Sequence, residues 1–136
     1  MATFGNTSTT VSSPWALWDG FLQGTKFTLP EAAVLTSGAV YGRCESSGNT
    51  QKLRITIYAD DAGALGALQD VTAEIVADYN SGSPKWWTAN FTGQTLSAGD
   101  YWIVAWGGTV SGDKFQLSLQ TSGGNGAHYN TAATYH

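Results

Sequence analysis

The stretch Tyr101–Trp106 has the sequence YWIVAW, an unbroken apolar run without a charge, a glycine or a proline. A strand that is apolar on both faces is covered on both sides, so this pattern predicts a central strand of a β-sheet. The preceding stretch Leu96–Asp100, LSAGD, contains turn-forming residues. The rest of the fold is therefore expected to pack around this segment.

Other segments alternate between apolar and polar residues with a period of two, and none keeps a helical period of 3.6 for ten residues. In Leu53–Tyr58, for example, Leu53, Ile55 and Ile57 share one face, which indicates a strand with one buried side. The predicted strands are Lys26–Leu29, Ala33–Cys44, Leu53–Tyr58, Val71–Tyr79, Trp86–Thr92, Tyr101–Trp106 and Lys114–Gln120.

Two connections have distinct chemistry. Asn80–Pro84, NSGSP, is a strong turn signal, so Val71–Tyr79 and Trp86–Thr92 are predicted to form a hairpin. Residues 59–70 combine alanine and leucine with two glycines, and we expect a loop there with at most one helical turn.

Together these segments predict an all-β fold, an antiparallel two-sheet β-sandwich of jelly-roll or immunoglobulin-like type with seven or eight strands. A chain of 136 residues has room for one such domain. We place the sandwich at residues 16–120, between a flexible N-terminal arm at 1–15 and a flexible C-terminal arm at 121–136, both rich in small polar residues.

Composition excludes several classes of function. The net charge is −4 and no cluster of lysine and arginine occurs, so nucleic-acid binding is not expected. No apolar run is long enough for membrane insertion. Met1–Asn6 lacks the features of a secretory signal, which predicts synthesis in the cytoplasm of a host. Cys44 is the single cysteine and is expected to be buried.

The sequence offers no catalytic apparatus, so an enzyme is not predicted. The two histidines, His128 and His136, lie in the C-terminal arm, far from any plausible triad, and the spacing of metal ligands is missing. We therefore predict no catalytic residue, no metal and no cofactor. The acidic pair Asp60-Asp61 leaves three alternatives open: a solvated loop, a calcium loop, or half of a glycosidase site.

Aromatic residues are the best candidates for contact with a partner. Adjacent Trp86 and Trp87 point to opposite faces if they lie in a strand, and Trp86 shares its face with Thr88, Asn90 and Thr92. Trp86 is thus the expected exposed member, with a structural role, a protein interface and a glycan platform as alternatives. The contact candidates are Phe4, Trp15, Trp18, Trp86, Tyr129 and Tyr135.

Several short motifs carry a resemblance: FGNT at 4–7, KFTL at 26–29, IYAD at 57–60, GALGAL at 63–68 and LSAGDYW at 96–102. With these turn and core signatures, residues 4–120 resemble a small β-sandwich domain of bacteriophage virion proteins that also occurs in bacterial surface proteins. The resemblance implies a non-catalytic module and carries over no functional residue.

As a free-standing domain, the chain is similar to capsid decoration and small tail-surface proteins. This implies a virion surface protein that docks on the major capsid or a tail protein and forms a homo-oligomer such as a trimer. The alternative is a carbohydrate-binding or adhesion module that uses an exposed tryptophan to bind a host-surface glycan.

Overall fold

The structure is a computed structural model, and it describes residues 9, 13–17, 21–48, 50–108, 115–119 and 128–132. The described residues form twelve β-strands and one 3₁₀ turn at Asn80–Gly82. The strands are β1 (Ser13–Leu17), β2 (Phe21–Leu29), β3 (Ala33–Val34), β4 (Ser37–Cys44), β5 (Thr50–Asp61), β6 (Ala64–Val71), β7 (Ile75–Asp78), β8 (Lys85–Asn90), β9 (Thr95–Leu96), β10 (Gly99–Gly107), β11 (Phe115–Leu119) and β12 (His128–Ala132).

The strands are antiparallel throughout and form two main sheets. One sheet has four strands in the order β1-β11-β4-β8. The other sheet has six strands. Five of them are neighbours in the order β12-β2-β10-β5-β6, and the sixth, β7, pairs with the first residues of β5. The short strands β3 and β9 pair with each other. The predicted all-β sandwich is confirmed, although the strands are more numerous than the seven or eight expected.

The main core lies between the two sheets. The four-stranded sheet contributes Val40, Cys44, Trp87, Phe115 and Leu117, and the six-stranded sheet contributes Leu53, Ile55, Ile75, Ala77 and Ala105. These residues alternate along their strands, as expected for strands with one buried face. Cys44 is fully buried, as predicted, and its thiol donates to the carbonyl of Ala77 at 3.0 Å.

The segment Tyr101–Trp106 is a central strand, as predicted. It lies in β10, which pairs with β2 on one side and β5 on the other. Ile103 packs toward the core between the sheets, whereas Trp102 and Val104 belong to a second apolar cluster on the opposite side. The six-stranded sheet is therefore apolar on both faces, which explains the unbroken apolar run.

The prediction of a loop at residues 59–70 is wrong. β5 continues to Asp61 and β6 begins at Ala64, so the segment is a hairpin joined by Ala62 and Gly63. Both turn residues have positive φ, 52° at Ala62 and 91° at Gly63, as a two-residue turn of type I′ requires. The turn was missed because alanine is rare at such a position, where asparagine, aspartate and glycine are favoured.

Two strand assignments also change. Ala33–Cys44 is not one strand, because β3 pairs with β9 while β4 joins the four-stranded sheet. The hairpin predicted around Asn80–Pro84 is wrong as well. β7 pairs with β5 and β8 pairs with β4, so the turn carries the chain from one sheet to the other. Sequence chemistry located the turn but not the partners of its two strands.

The two predicted arms lie largely outside the described residues. Within the C-terminal arm, β12 pairs with β2 at the edge of the six-stranded sheet. β1 overlaps the boundary placed at residue 15 and pairs with β11. None of the described segments is a helix of the length and apolarity needed to cross a membrane.

Candidate binding surface

The outer sides of the two sheets differ in exposure. On the six-stranded sheet, the side turned away from the core carries Leu22, Trp102, Val104 and Trp106, all at most 7% exposed. We call this the covered face. On the four-stranded sheet the corresponding side is accessible. We call it the open face, and its residues are Ser37, Ala39, Tyr41 and Arg43 of β4, Trp86, Thr88 and Asn90 of β8, and Gln116 of β11.

The open face is built by strict alternation along β4 and β8. Val40 and Trp87 point into the core, so their neighbours Tyr41 and Trp86 point outward. The register pairs Tyr41 directly with Trp86, Ala39 with Thr88 and Ser37 with Asn90. One aromatic pair therefore lies at one end of a short polar surface.

Tyr41 and Trp86 form the aromatic part of this surface. Their ring centroids are 5.2 Å apart and their planes are inclined by 52°. Trp86 is 39% exposed, and Tyr41 is partly exposed. Contact between the rings limits the rotamers of both side chains, so the pair is held in place before any ligand arrives.

Core contacts fix the strand below this pair. The indole nitrogen of Trp87 donates to the carbonyl of Gly42 at 3.0 Å, which ties β8 to β4. The Trp87 ring packs edge-on against Phe115, with centroids 6.5 Å apart. The ammonium of Lys85 lies 4.0 Å from the centroid of the Trp87 ring. Because Trp87 is anchored in this way, the backbone position of Trp86 is fixed.

Charged groups beside the open face already have partners. The guanidinium of Arg43 donates to Gln116 Oε1 at 2.9 Å and also to the carbonyl of Gly82. Gln116 in turn donates to Glu45 Oε1 at 3.4 Å. Lys85 lies 3.7 Å from a carboxylate oxygen of Asp78. The surface around Tyr41 and Trp86 is thus electrically balanced.

The hydroxyl and amide groups of the open face are differently placed. Ser37, Thr88 and Asn90 are exposed, and no hydrogen bond of their side chains to the described part of the chain is found. These groups can both donate and accept hydrogen bonds. The open face therefore combines an exposed aromatic pair with neutral polar groups that are available to a ligand.

The acidic pair Asp60-Asp61 does not lie in a loop. Asp60 is in β5, and its carboxylate accepts from Trp102 Nε1 at 2.8 Å and from the backbone N–H of Gly63 at 3.2 Å, while Lys26 lies 3.4 Å away. Burial tends to raise the pKa of Asp60, but these hydrogen bonds and the charge of Lys26 outweigh it, so the pKa is lowered. The contacts fasten the hairpin to the covered face.

A second carboxylate has a similar structural role. Asp70 is 5% exposed and accepts hydrogen bonds from the backbone and hydroxyl of Thr92 and from the backbone of Gln94. Burial opposes its ionisation, but these hydrogen bonds and one from Val71 lower the pKa of Asp70. Among the residues that the structure describes, no group of three or more His, Cys, Asp and Glu side chains is arranged to hold a metal ion.

The predicted contact residues fall into three groups. Trp86 is exposed on the outer face, as predicted. Trp15 lies in β1 opposite Leu117, and Tyr129 lies in β12 opposite Gly24. Phe4, Trp18 and Tyr135 lie outside the described residues, so their proposed contacts remain predictions.

Tyr41 was not among the predicted contact residues. The alternation of Tyr41 and Arg43 with the apolar and small residues of β4 gave a signal that it points outward. The sequence did not show that β4 pairs with β8, and that pairing alone places Tyr41 beside Trp86. The contact between Tyr41 and Trp86 therefore depends on the register in which β4 pairs with β8.

Comparison with family models, with curated proteins and with solved structures found no match to the chain. The resemblance to virion β-sandwich proteins accordingly stays a prediction, and a functional assignment depends on the geometry of the open face.

Proposed function

We propose that the chain is a non-catalytic surface protein of a larger assembly, a capsid decoration or small tail-surface protein of a virion, which displays its open face outward. The observation that carries this proposal is the difference between the outer sides of the two sheets. Trp102 on the covered face is 1% exposed, whereas Trp86 on the open face is 39% exposed. An accessible sheet face that carries an aromatic pair suits a protein that displays a contact surface from an assembly.

A binding role agrees with the chemistry of the described residues. The acidic side chains with lowered pKa, Asp60 and Asp70, are engaged by hydrogen bonds that join strands and loops. An exposed tryptophan on a rigid sheet is a common anchor for a ligand because little conformational entropy is lost on binding. The terminal segments 1–15 and 121–136 are the parts proposed to contact the capsid or tail subunits.

Copurification tests this function. Particles isolated on a density gradient from cultures that produce the chain should contain it, and quantitative mass spectrometry should give a copy number that matches the symmetry of the shell or the tail. Trp86→Ala should remain on the particles, because the open face points away from them. Absence of the wild-type chain from purified particles would contradict the proposal.

A further inference from the structure

The open face presents its aromatic pair on the outer side of the four-stranded sheet. Tyr41 and Trp86 lie on neighbouring strands of one sheet, directly opposite each other, and no second layer of the described chain packs over them. A protein hot spot usually lies in a well-packed, fully desolvated pocket surrounded by contacts that exclude water. Here the neighbour on β4 is Ala39, and the positions beyond it are polar.

The polar groups continue the surface in one direction from the aromatic pair. Thr88 lies two residues along β8 from Trp86, about 7 Å away, and Asn90 about 13 Å away, at about 3.3 Å per residue. Ser37 is the partner of Asn90 across the strands. An elongated ligand lying along β8 would meet an aromatic surface first and then neutral hydrogen-bonding groups.

A pyranose unit has the matching chemistry. One side of its ring is a surface of C–H groups, which packs against an aromatic ring and loses little hydration, while its hydroxyls point outward around the ring. Those hydroxyls need donors and acceptors, which Ser37, Thr88 and Asn90 provide. A row of sugar units thus fits both parts of the open face.

The charged side chains beside the open face favour a neutral sugar over an anionic one. An anionic glycan needs an arginine or lysine that is free to contact its acid group. Arg43 is bound to Gln116 and to the carbonyl of Gly82, and Lys85 lies between Asp78 and the Trp87 ring. Both cations already have partners within the chain, so neither is set aside for the acid group of a ligand.

We infer that the open face binds a neutral polysaccharide, with one sugar ring stacked on Trp86 and touching the inclined ring of Tyr41, and with the neighbouring sugar units hydrogen-bonded by Thr88, Asn90 and Ser37. This inference rests on the proposed function, because it names the ligand of the face that the assembly leaves exposed.

Affinity electrophoresis of the full chain tests the inference. Native gels would contain dextran, galactomannan or a soluble β-glucan as neutral probes, and heparin as the anionic one. We expect at least one neutral polysaccharide to retard the wild-type chain. Trp86→Ala and Tyr41→Ala should each weaken that binding by about tenfold or more.

Leu68→Ala is the matched control, because Leu68 is an apolar residue that is 50% exposed on β6, away from the open face. It should bind the polysaccharide as the wild type does. Thermal unfolding monitored by circular dichroism would show that the Trp86→Ala and Tyr41→Ala chains are folded.

Three outcomes would overturn the inference: no retardation by any neutral polysaccharide, unchanged retardation of Trp86→Ala, or retardation by heparin alone. Loss of Trp86→Ala from purified particles would also overturn it, since the open face would then be a protein contact. The proposed function fails separately, through absence of the wild-type chain from the particles.

Discussion

The covered face and the open face both carry tryptophans on antiparallel strands, yet these tryptophans differ in exposure. Trp102 and Trp106 are buried on the covered face, where Asp60 accepts the indole N–H of Trp102. Trp86 on the open face contacts Tyr41 and remains accessible. The difference shows that the environment of a tryptophan in this fold depends on the face of the sheet that its side chain occupies, since Trp87, next to Trp86 on β8, is buried in the core.

The largest effect is expected for Trp102→Ala. Removal of a large buried aromatic side chain costs about 3–5 kcal/mol, and here it also removes a hydrogen-bond donor to Asp60. Urea denaturation should show this loss or an unfolded chain. Trp102→Phe keeps most of the ring and should lose less. If Trp86→Ala were as destabilising as Trp102→Ala, the distinction between the two faces would be wrong.

Gly24→Ala should give the next largest effect. Gly24 lies on β2 opposite Val104, and a Cβ atom there would overlap the Ile103 carbonyl oxygen and the Val104 side chain. Since backbone atoms cannot move aside cheaply, we expect a loss of about 1–3 kcal/mol. A midpoint of urea denaturation equal to that of the wild type would show that the covered face is less tightly packed than we describe.

A smaller effect on stability is expected for Trp86→Ala. Its aromatic contact with Tyr41 contributes about 0.5–1.5 kcal/mol, and the exposed side chain leaves no internal cavity. The free energy of unfolding should therefore fall by about 1–2 kcal/mol, well below the loss for Trp102→Ala. Measured beside Trp102→Ala under the same conditions, this variant separates an exposed tryptophan from a core tryptophan.

Acidic pH should lower the free energy of unfolding through Asp60, which lies beside the covered face, whereas a change of pH near neutrality should have no such effect. The pKa of Asp60 is lowered in the folded chain, so below the ordinary pKa of about 4 the unfolded state binds more protons than the folded one. Stability contributed by ionised Asp60 is present above that value and is lost as pH falls through the lowered pKa.

Asp60→Asn should flatten the fall in stability below about pH 4, as measured by urea denaturation at successive pH values. Part of the slope should persist, because the pKa of Asp70 is lowered in the same direction. Identical slopes in the two chains would mean that Asp60 is not held ionised by Trp102, Gly63 and Lys26.

Sequence reasoning was most successful where local pattern and burial coincide. The alternation in Leu53–Tyr58 and the apolar run Tyr101–Trp106 predicted a half-buried and a central strand, and both are found. It was least successful where the local signal was unusual. Ala62 occupies a turn position that normally favours asparagine or glycine, so the local sequence predicts a loop where β5 and β6 form a hairpin.

The amino-acid sequence by itself determined that the chain is all-β and that Trp86 and Trp87 point in opposite directions, because strand periodicity is a local property of the backbone. The tertiary structure decided which strands are neighbours, since pairing joins residues far apart in the chain. Tyr41 and Trp86 are 45 positions apart, and their contact follows from the register of β4 with β8. The candidate site therefore emerges only when the sheets have assembled.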